Sequence, residues 1–528
     1  MFDYLLTNAV VIDGSGGPSY AANIGISDGK ISAIAPCAQA EANNLIDLEG
    51  RILTPGFIDI HRHADAALFR PGFGTAELCQ GITTIINGNC GLSIAPLPSS
   101  RREEILNYLQ PVTGSLPEDV EFEGFSGYAA LLKQRDLPLN IGMLAGSGTM
   151  RTAVCGYRDL DNTSLKQLHK VLEDALYSGV FGVSVGLAYM PDNFYTPSDL
   201  ALALAPISGS GIPLVFHLRA EGRLLYESVI EAIQAVKLLN VPLHISHFKC
   251  IGRKNWGRVL GKTIELIEQS RQDGIGISCD VYPWTAGSTQ MASLLPPEFL
   301  QGGPSQTTLR LLEPKQREIC RDIMSRPGAD FENIVESMGW QSIFVSGLRS
   351  EKNSWCIGKN IEEIAIHLGK DPFDAALNLL AEENCNVTMV DYIACEEDIE
   401  TILRLSYSSV ISDTIYAEGG LPHPRGYGNT AMLFNEYVKK RSTLTMEQMI
   451  HKLTALPAKT MGIKNKGLIK EGFDADILVI EKEGISSEAN YQNPCCLSKG
   501  IYLAMVNGKV ALKKSTVTNA KNGSYIGR

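Results

Sequence analysis

Two histidines that follow a short apolar run suggest a metal site. Residues 56–63 have the sequence GFIDIHRH, which places His61 and His63 two positions apart. Side chains alternate along a strand, so residues with this spacing leave the same face and can converge on one ion. Imidazole is a common ligand of zinc and similar divalent metals. An isolated pair of this kind is more often packed or solvated, so a metal site is favoured only if other candidate ligands occur elsewhere in the chain.

The middle of the chain predicts the elements that would position these histidines. Apolar β-rich runs recur there with helical patterns between them, at 56–63, 81–88, 140–146, 180–187, 212–218, 241–248, 274–283 and 408–414. Buried strands that alternate with helices predict an α/β fold, a (β/α)8 TIM barrel. The active site of such a barrel lies at the carboxyl ends of its strands.

Further candidate metal ligands fall at the predicted strand ends. Besides His61 and His63, these ends carry Cys90, His217, His247 and Asp413. The chain has nine histidines in all, and four of them at one face of a barrel are improbable by chance, so the metal interpretation is favoured. Three other residues near these ends are interpreted as structural: His244 as a packed histidine, and Arg219 and Glu221 as an ion pair.

The two ends of the chain differ from the middle. Both contain short predicted strands separated by turn residues such as Asp13-Gly14, which is typical of a small β-sandwich. We expect a β-sandwich domain built from residues 1–55 and 462–528, and a barrel within residues 56–461. The gap at about 284–407 is much longer than one crossover helix, which predicts an inserted subdomain before the last barrel strand.

Composition and charge restrict the class of partner. The net charge of −11, with 44% hydrophobic and 20% charged residues, is that of a globular protein and disfavours a nucleic-acid surface. The sequence shows neither a secretory signal pattern nor a run near the roughly 20 apolar residues of a membrane span. The twelve cysteines include no CxxC pair, and they are interpreted as reduced thiols of a cytoplasmic protein. The sequence leaves the oligomeric state open.

Several of these segments together resemble the N-acyl-D-amino-acid deacylases, or D-aminoacylases, a branch of the amidohydrolase superfamily. The similar segments occur in the family's order over nearly the whole chain and are GFIDIHRHAD, NGNCGLSIAP, VSVGLAYMP, FHLRAE, HISHFK, DVYPWTAGST, PHPRGYG and GLIKEGFDADILV. The cysteine in NGNCG distinguishes this branch from its relatives. The resemblance implies a zinc-dependent hydrolase that cleaves the amide bond of small N-acyl-D-amino acids.

The resemblance also implies how the metal ligands divide. It places His61 and His63 at one metal site, completed by Asp413. It places His217 and His247 at the neighbouring site, with a cysteine at position 90 that bridges the two or serves the tighter one. One zinc ion is expected to be held firmly and a second divalent metal more weakly. A thiolate and two imidazoles leave one open position in a tetrahedral zinc site.

A mechanism and a set of substrate contacts follow from this resemblance. Zinc lowers the pKa of bound water from about 15.7 toward about 7, and Asp413 is placed to accept the proton and pass it to the leaving amine. Lys249, two residues after His247, is the first candidate for binding the substrate carboxylate. The other candidates are Tyr282, Arg425, Tyr189 and Ser288. Because the segment TAGSTQMASLLPP offers no cation for an acidic side chain, a neutral, apolar side chain is expected.

Two alternative functions remain. The first is a cyclic-amide hydrolase resembling dihydropyrimidinase or dihydroorotase, but those enzymes depend on a lysine in the fourth barrel strand, and FGVSVGLAY contains none. The second is a barrel that serves as a scaffold without catalysis. Such a protein should lack several ligands, whereas all six candidates are present here.

Overall fold

The computed structural model describes residues 1–35, 41–326, 328, 331–518 and 520–528. Its strands are β1 (Phe2–Val11), β2 (Tyr20–Ser27), β3 (Lys30–Ala35), β4 (Ala42–Asp47), β5 (Ile52–Pro55), β6 (Phe57–Asp59), β7 (Ile82–Asn87), β8 (Asn140–Met143), β9 (Ala145–Gly146), β10 (Val183–Gly186), β11 (Leu214–His217), β12 (Leu243–Ile245), β13 (Ile277–Val281), β14 (Ala286–Gln290), β15 (Ile343–Leu348), β16 (Val387–Tyr392), β17 (Ser408–Val410), β18 (Ile477–Ile480), β19 (Ile501–Val506), β20 (Lys509–Lys513) and β21 (Thr516–Val517).

The α-helices lie mostly between these strands. They are α1 (Thr75–Cys79), α2 (Arg102–Thr113), α3 (Phe125–Lys133), α4 (Ser147–Cys155), α5 (Asn162–Tyr177), α6 (Pro197–Ala203), α7 (Leu225–Leu239), α8 (Val259–Gln272), α9 (Gly303–Leu312), α10 (Pro314–Ser325), α11 (Ile334–Met338), α12 (Ile361–Leu368), α13 (Pro372–Glu382), α14 (Glu396–Arg404), α15 (Arg425–Met432), α16 (Met446–Leu453) and α17 (Ala455–Met461). A π-helical segment, Leu433–Lys440, continues α15. No helix of the described residues is long and apolar enough to cross a membrane.

A barrel of parallel strands forms the centre of the molecule, which confirms the predicted fold class. Its strands follow the order β6, β7, β8 with β9, β10, β11, β12, β13 and β17. The ring closes between the segments after β6 and β17. There the N–H of Asp413 donates to the carbonyl of His61 at 3.0 Å, and Arg62 and Thr414 form a parallel β-bridge. Each strand coincides with one of the eight apolar runs. Strands covered on both faces are buried throughout rather than on alternate residues, as in β10 and β11, where every residue is buried.

The barrel helices pack through apolar stripes at helical spacing. In α7 the buried residues include Leu225, Val229, Ala232 and Val236, which recur every three or four positions. Asn240 ends this helix in the left-handed conformation, with φ of 52°. The chain then enters β12, so the end of α7 fixes where the next set of candidate ligands begins.

The two termini contribute to one nine-stranded sheet. Its order is β21, β20, β19, β18, β5, β1, β2 and β3, with β4 paired to β1. This sheet is tied to the bottom of the barrel by a buried polar cluster. Lys466 pairs with Asp476 at 2.6 Å, and the amide of Asn140 in β8 donates to the same carboxylate at 3.0 Å. The boundaries of the expected domains stay predictions.

The segment between β13 and β17 contains a subdomain with its own core. β14, β16 and β15 form an antiparallel sheet in that order. Its core joins residues from this sheet and from α9 to α13, among them Leu311, Ile343 and Met389. Ile251, in the loop after β12, belongs to the same core, so the inserted subdomain is packed against the mouth of the barrel.

Candidate metal centre

Six side chains converge at the carboxyl ends of the barrel strands. His61 and His63 follow β6, and Cys90 follows β7. The remaining three come from the other half of the ring: His217 ends β11, His247 follows β12, and Asp413 follows β17. All six are buried. Because the strands are parallel, residues that are far apart in sequence meet at this one edge.

The distances between these side chains are those of a compact cluster. The Sγ of Cys90 lies 3.3 Å from Nε2 of His61 and 3.5 Å from Nε2 of His247. The Oδ1 of Asp413 lies 3.3 Å from Nε2 of His61 and 3.5 Å from Nε2 of His63. The rings of His217 and His247 are 4.4 Å apart between centroids. The sequence-predicted ligands are therefore brought together in one place.

The backbone is strained at three of the six positions. Cys90, His247 and Asp413 have φ of 56°, 35° and 51°, in the left-handed region that residues other than glycine adopt rarely. Such conformations cost of order 1–3 kcal/mol each and persist where the surrounding structure enforces them, often at functional sites. The turns that follow β7, β12 and β17 thus hold these side chains at a cost in stability, which the sequence pattern did not reveal.

Two carboxylates orient the imidazoles from behind. Glu221 lies 3.0 Å from Nδ1 of His247, which leaves Nε2 of that ring directed at Cys90. Asp280 lies 3.4 Å from Nδ1 of His61, an ion-pair contact without hydrogen-bond geometry, and accepts the backbone N–H of His247. Carboxylates in this position fix the tautomer of a ligating histidine and raise its basicity. Neither acidic residue was predicted for this role.

One structural expectation is wrong, and a second, the packed His244, is confirmed by its burial but incomplete. Arg219 does not pair with Glu221; it donates to Glu231 at 2.8 Å, while Glu221 pairs with Lys249 at 2.7 Å. His244 is not merely packed, because its Nε2 lies 2.9 Å from Asp280 and supports the carboxylate beside His61. Both partnerships join different strands, and sequence spacing cannot show them.

The donor set fits a metal centre. The ligand atoms of His61, Cys90 and His247 lie within 4.8 Å of one another, and so do those of His61, His63 and Asp413. A third group of this kind joins His217, Glu221 and His247. The buried Nδ1 atoms of His63 and His217 have no hydrogen-bond partner among the described residues. Buried polar groups are normally paired, so a metal is a natural partner for this cluster.

The electrostatics favour the ligating forms of the acid groups. Burial alone would raise the pKa of the Cys90 thiol, but His61, His217 and His247 lower that pKa well below its usual value. Burial likewise opposes ionisation of Asp413, yet Arg425 and the neighbouring histidines lower the pKa of this carboxyl well below its usual range. A thiolate and a carboxylate at this position are the charged ligands that zinc prefers.

A cavity opens onto the cluster and contains most of the expected substrate contacts. Lys249, Tyr282, Tyr189 and Ser288 line it together with Cys90 and other members of the cluster. The ammonium of Lys249 is held by Glu221 and by the backbone carbonyl of His247 at 2.8 Å.

The other contacts show how these residues are held. The hydroxyl of Tyr189 lies 2.9 Å from that of Thr289, and the hydroxyl of Ser288 donates to the carbonyl of Met389 at 2.9 Å. The ring of Tyr282 lies 4.8 Å below the guanidinium of Arg425.

Arg425 occupies a different place from the other expected contacts. It is fully buried behind Asp413, with Nη2 at 3.0 Å from the carboxylate and 3.2 Å from the carbonyl of Ser288. In the described part of the chain, its Nε and Nη1 have no partner. The structure therefore places Arg425 as the partner of Asp413, and its contact with substrate stays a prediction.

Known proteins resemble this chain over its whole length. A D-aminoacylase of Alcaligenes xylosoxydans xylosoxydans is 27% identical over 537 residues, which cover 100% of this chain and 98% of the relative. An N-acyl-D-glutamate deacylase of the same organism is 28% identical over 96% of this chain and 93% of its own length. Residues 417–510 match the model of the amidohydrolase family.

A solved structure shares the fold of the whole chain. The N-acyl-D-glutamate deacylase from Bordetella bronchiseptica, complexed with zinc and a phosphonate inhibitor that mimics the tetrahedral intermediate, covers 100% of both chains with a TM-score of 0.82 and 25% identity. These likenesses extend over the barrel, the inserted subdomain and the terminal sheet together. The chain is thus similar over its whole length to the D-aminoacylases, and part of it matches the amidohydrolase family.

Proposed function

We propose that this protein hydrolyses the amide bond of N-acyl-D-amino acids and releases a carboxylate and a free D-amino acid. The observation that carries the proposal is the convergence of Cys90, four imidazoles and Asp413 in one cluster, most of which lines a cavity that also holds the buried cation of Lys249. A metal centre beside a cation suits a substrate with both an amide to cleave and a carboxylate to bind. The full-length similarity to D-aminoacylases supports the same activity.

The metal ligands divide between two neighbouring positions. Cys90, His217 and His247 would hold one zinc ion, and His61, His63 and Asp413 would hold the other. When bound, zinc would polarise the amide carbonyl and activate water at neutral pH. The thiolate position is the one we expect to retain its ion, because sulfur and imidazole are the ligands of firmly held zinc.

Asp413 is the residue we assign to proton transfer. Its carboxylate faces the cavity between two imidazoles, and its Oδ2 is held by Arg425 at 3.0 Å. A carboxylate positioned in this way can accept a proton from water and pass it to the departing amine nitrogen. Arg425 would keep the carboxylate oriented between the two transfers.

The substrate carboxylate would be bound by Lys249, beside His247 in the same cavity. Lys249, which follows His247 by two residues, provides a positive charge there, and Glu221 holds its ammonium at 2.7 Å. A charge-assisted contact of this kind stabilises the bound substrate and also positions its amide for attack. Tyr282 and Ser288 line the same cavity. The hydroxyl of Tyr282 can donate an additional hydrogen bond, whereas that of Ser288 already donates to a backbone carbonyl and would have to rotate to reach the substrate.

The fourth barrel strand disfavours the cyclic-amide alternative. It ends at Gly186, where a Cβ would lie 2.2 Å from the carbonyl oxygen of Cys90. There is thus no space for a ligating side chain at the end of this strand, and Cys90 occupies the neighbourhood instead. A hydrolase that depends on a lysine from this strand would need a different backbone.

Amine release from paired substrates tests the proposed activity. The zinc-supplemented protein should be assayed with the N-acetyl derivatives of D- and L-norleucine and of D- and L-lysine, and with dihydrouracil as a neutral ring. We expect kcat/KM for the D forms to exceed that for the L forms by at least about tenfold, or 1.4 kcal/mol of transition-state binding. Hydrolysis of the ring with no hydrolysis of any N-acetyl-D-amino acid would contradict the proposal.

A further inference from the structure

One carboxylate in the cavity has no part in the mechanism above. Asp391 lies on β16 of the inserted subdomain and is 2% exposed. It lines the same cavity as His247 and Lys249. Its Oδ1 has no hydrogen-bond partner among the described residues. Burying a carboxylate oxygen without a hydrogen-bond partner is unfavourable, which indicates that a ligand completes its contacts.

The strand pattern shows that Asp391 occupies a position otherwise kept apolar. Val387, Met389 and Ile393 lie on the same face of β16 and its end as Asp391, because residues two apart in a strand share a face. All three belong to the core of the inserted subdomain. Directly opposite Asp391 in the sheet is Gly287 of β14. A Cβ at Gly287 would lie 2.8 Å from Oδ1 of Asp391 and 3.0 Å from Cδ1 of Ile393. The glycine therefore leaves the carboxylate uncovered.

The other acidic residues of the cavity already have partners. Glu221 pairs with Lys249, and Asp413 pairs with Arg425. The Oε2 of Glu332 accepts two backbone N–H groups, at 2.7 and 2.6 Å. Asp391 is the remaining carboxylate of the cavity lining in the described residues, and it is available for a bound molecule.

Charge and shape indicate what that molecule carries. Apart from the histidines of the candidate metal centre, the cavity is lined by the two basic residues Arg219 and Lys249 and by the four acidic residues Glu221, Glu332, Asp391 and Asp413. Arg425 lies behind this lining and is paired with Asp413. Arg219 is engaged with Glu231, and the substrate carboxylate would take Lys249. An additional anion beside Asp391 would be repelled, whereas an additional cation would be attracted.

The wall beside Asp391 suits an aliphatic chain. Ile251, Ile334 and Ile393 line the same cavity and come from three different elements. A side chain with a methylene stem and a charged end can pack its stem on such a wall while the end reaches a carboxylate. Burial raises the pKa of Asp391 to about 6, although Lys249 and Arg425 oppose this shift. A bound cation would favour the ionised form.

We propose that Asp391 selects the substrate side chain and that the enzyme prefers N-acyl-D-amino acids with a cationic, aliphatic side chain, such as lysine or ornithine. This inference rests on the proposed function and names the substrate class of that site. It replaces the neutral side chain expected from residues 285–297 alone, because the sequence could not show that Asp391 reaches the same cavity. It also separates this protein from a deacylase for acidic amino acids.

The first test uses the protein unchanged. The kcat/KM values of Nα-acetyl-D-lysine, N-acetyl-D-norleucine and N-acetyl-D-glutamate should be compared. The lysine substrate keeps its side-chain ammonium, and norleucine has a neutral side chain of similar shape. A charge-assisted contact predicts a preference for lysine over norleucine of about 10- to 150-fold. Equal or better use of norleucine, or preference for glutamate, would overturn the inference while leaving the deacylase activity established. If none of the three substrates is hydrolysed, both this inference and the proposed deacylase function are overturned.

The second test assigns the preference to one residue. Asp391→Asn should lower kcat/KM for the lysine substrate by about 10- to 150-fold and leave the norleucine substrate nearly unchanged. Asp398→Asn is the matched control, because Asp398 is also a buried carboxylate with an unpartnered oxygen but does not line the cavity. This control should keep the lysine preference. Equal losses on both substrates in Asp391→Asn would mean that the residue supports the structure and does not select the side chain.

Discussion

At the scale of single residues, Asp413 joins the metal cluster to a buried cation. One carboxylate oxygen faces His61 and His63, and the other is held by Arg425. Asp413→Asn keeps the shape of the side chain but removes its capacity to accept a proton. We expect kcat to fall by at least about 10²-fold, the low end for general acid–base catalysis. Assays of kcat and metal content on the same sample would measure this.

The metal content of Asp413→Asn shows whether a loss of activity comes from lost proton transfer or from lost metal. The Cys90 position does not require Asp413, so its ion should remain bound in Asp413→Asn. Loss of activity with the firmly held zinc retained supports proton transfer by Asp413. Near-normal kcat would assign that transfer to another residue, and loss of all metal would make Asp413 chiefly a ligand.

The residue scale also shows what the sequence could and could not predict at the site. The ligand candidates were recognisable because histidine and cysteine are rare and were found at strand ends. Glu221, Asp280 and Asp391 were not recognisable as parts of the site, since acidic residues are common and their partners lie on other strands. Arg425 was recognised as a site residue, but its pairing with Asp413 depends on how α15 meets the end of β17.

At the scale of elements, the end of β10 controls the position of Cys90. Gly186 approaches the backbone of the loop after β7 so closely that a Cβ would lie 2.2 Å from the carbonyl oxygen of Cys90. Gly186→Ala should therefore displace Cys90. We expect loss of the firmly held zinc and of activity, with the far-ultraviolet circular dichroism of the barrel retained.

Gly261 provides the matched control for this substitution. It lies in α8, is exposed, and has no atom within 4 Å of the position its Cβ would take. Gly261→Ala should keep metal and activity and should stabilise the protein by up to about 1 kcal/mol, because alanine favours the helix. Normal zinc content in Gly186→Ala would show that the loop after β7 can move, and the close approach would then not position the cysteine.

The eight barrel strands were predictable because burial on both faces makes them short, mostly apolar runs with β-branched residues and helical patterns between them. The left-handed turns at Cys90, His247 and Asp413 were not predictable, because they place non-glycine residues in a conformation that local sequence disfavours. Their presence at three of the six candidate ligands indicates that the barrel enforces the geometry of the site.

At the scale of the whole molecule, three parts contribute differently. The barrel provides the candidate ligands, the inserted subdomain provides Ser288, Ile334 and Asp391 to the cavity, and the terminal sheet holds the bottom of the barrel through Lys466. The sequence indicated that an insertion exists from the length of the gap. It could not indicate which face of the insertion covers the barrel mouth, since that depends on contacts between distant segments such as Ile251 and the core around Met389.

Metal removal and restoration test the central claim, that this barrel hydrolyses N-acyl-D-amino acids through a thiolate–imidazole metal centre. Protein stripped with a chelator should be titrated with zinc while bound metal and amine release from an N-acetyl-D-amino acid are measured together. We predict no turnover in the stripped protein, recovery as about one equivalent of zinc binds at the firmly held position, and no recovery in Cys90→Ala. Full turnover in metal-free protein, or full recovery in Cys90→Ala, would contradict the account.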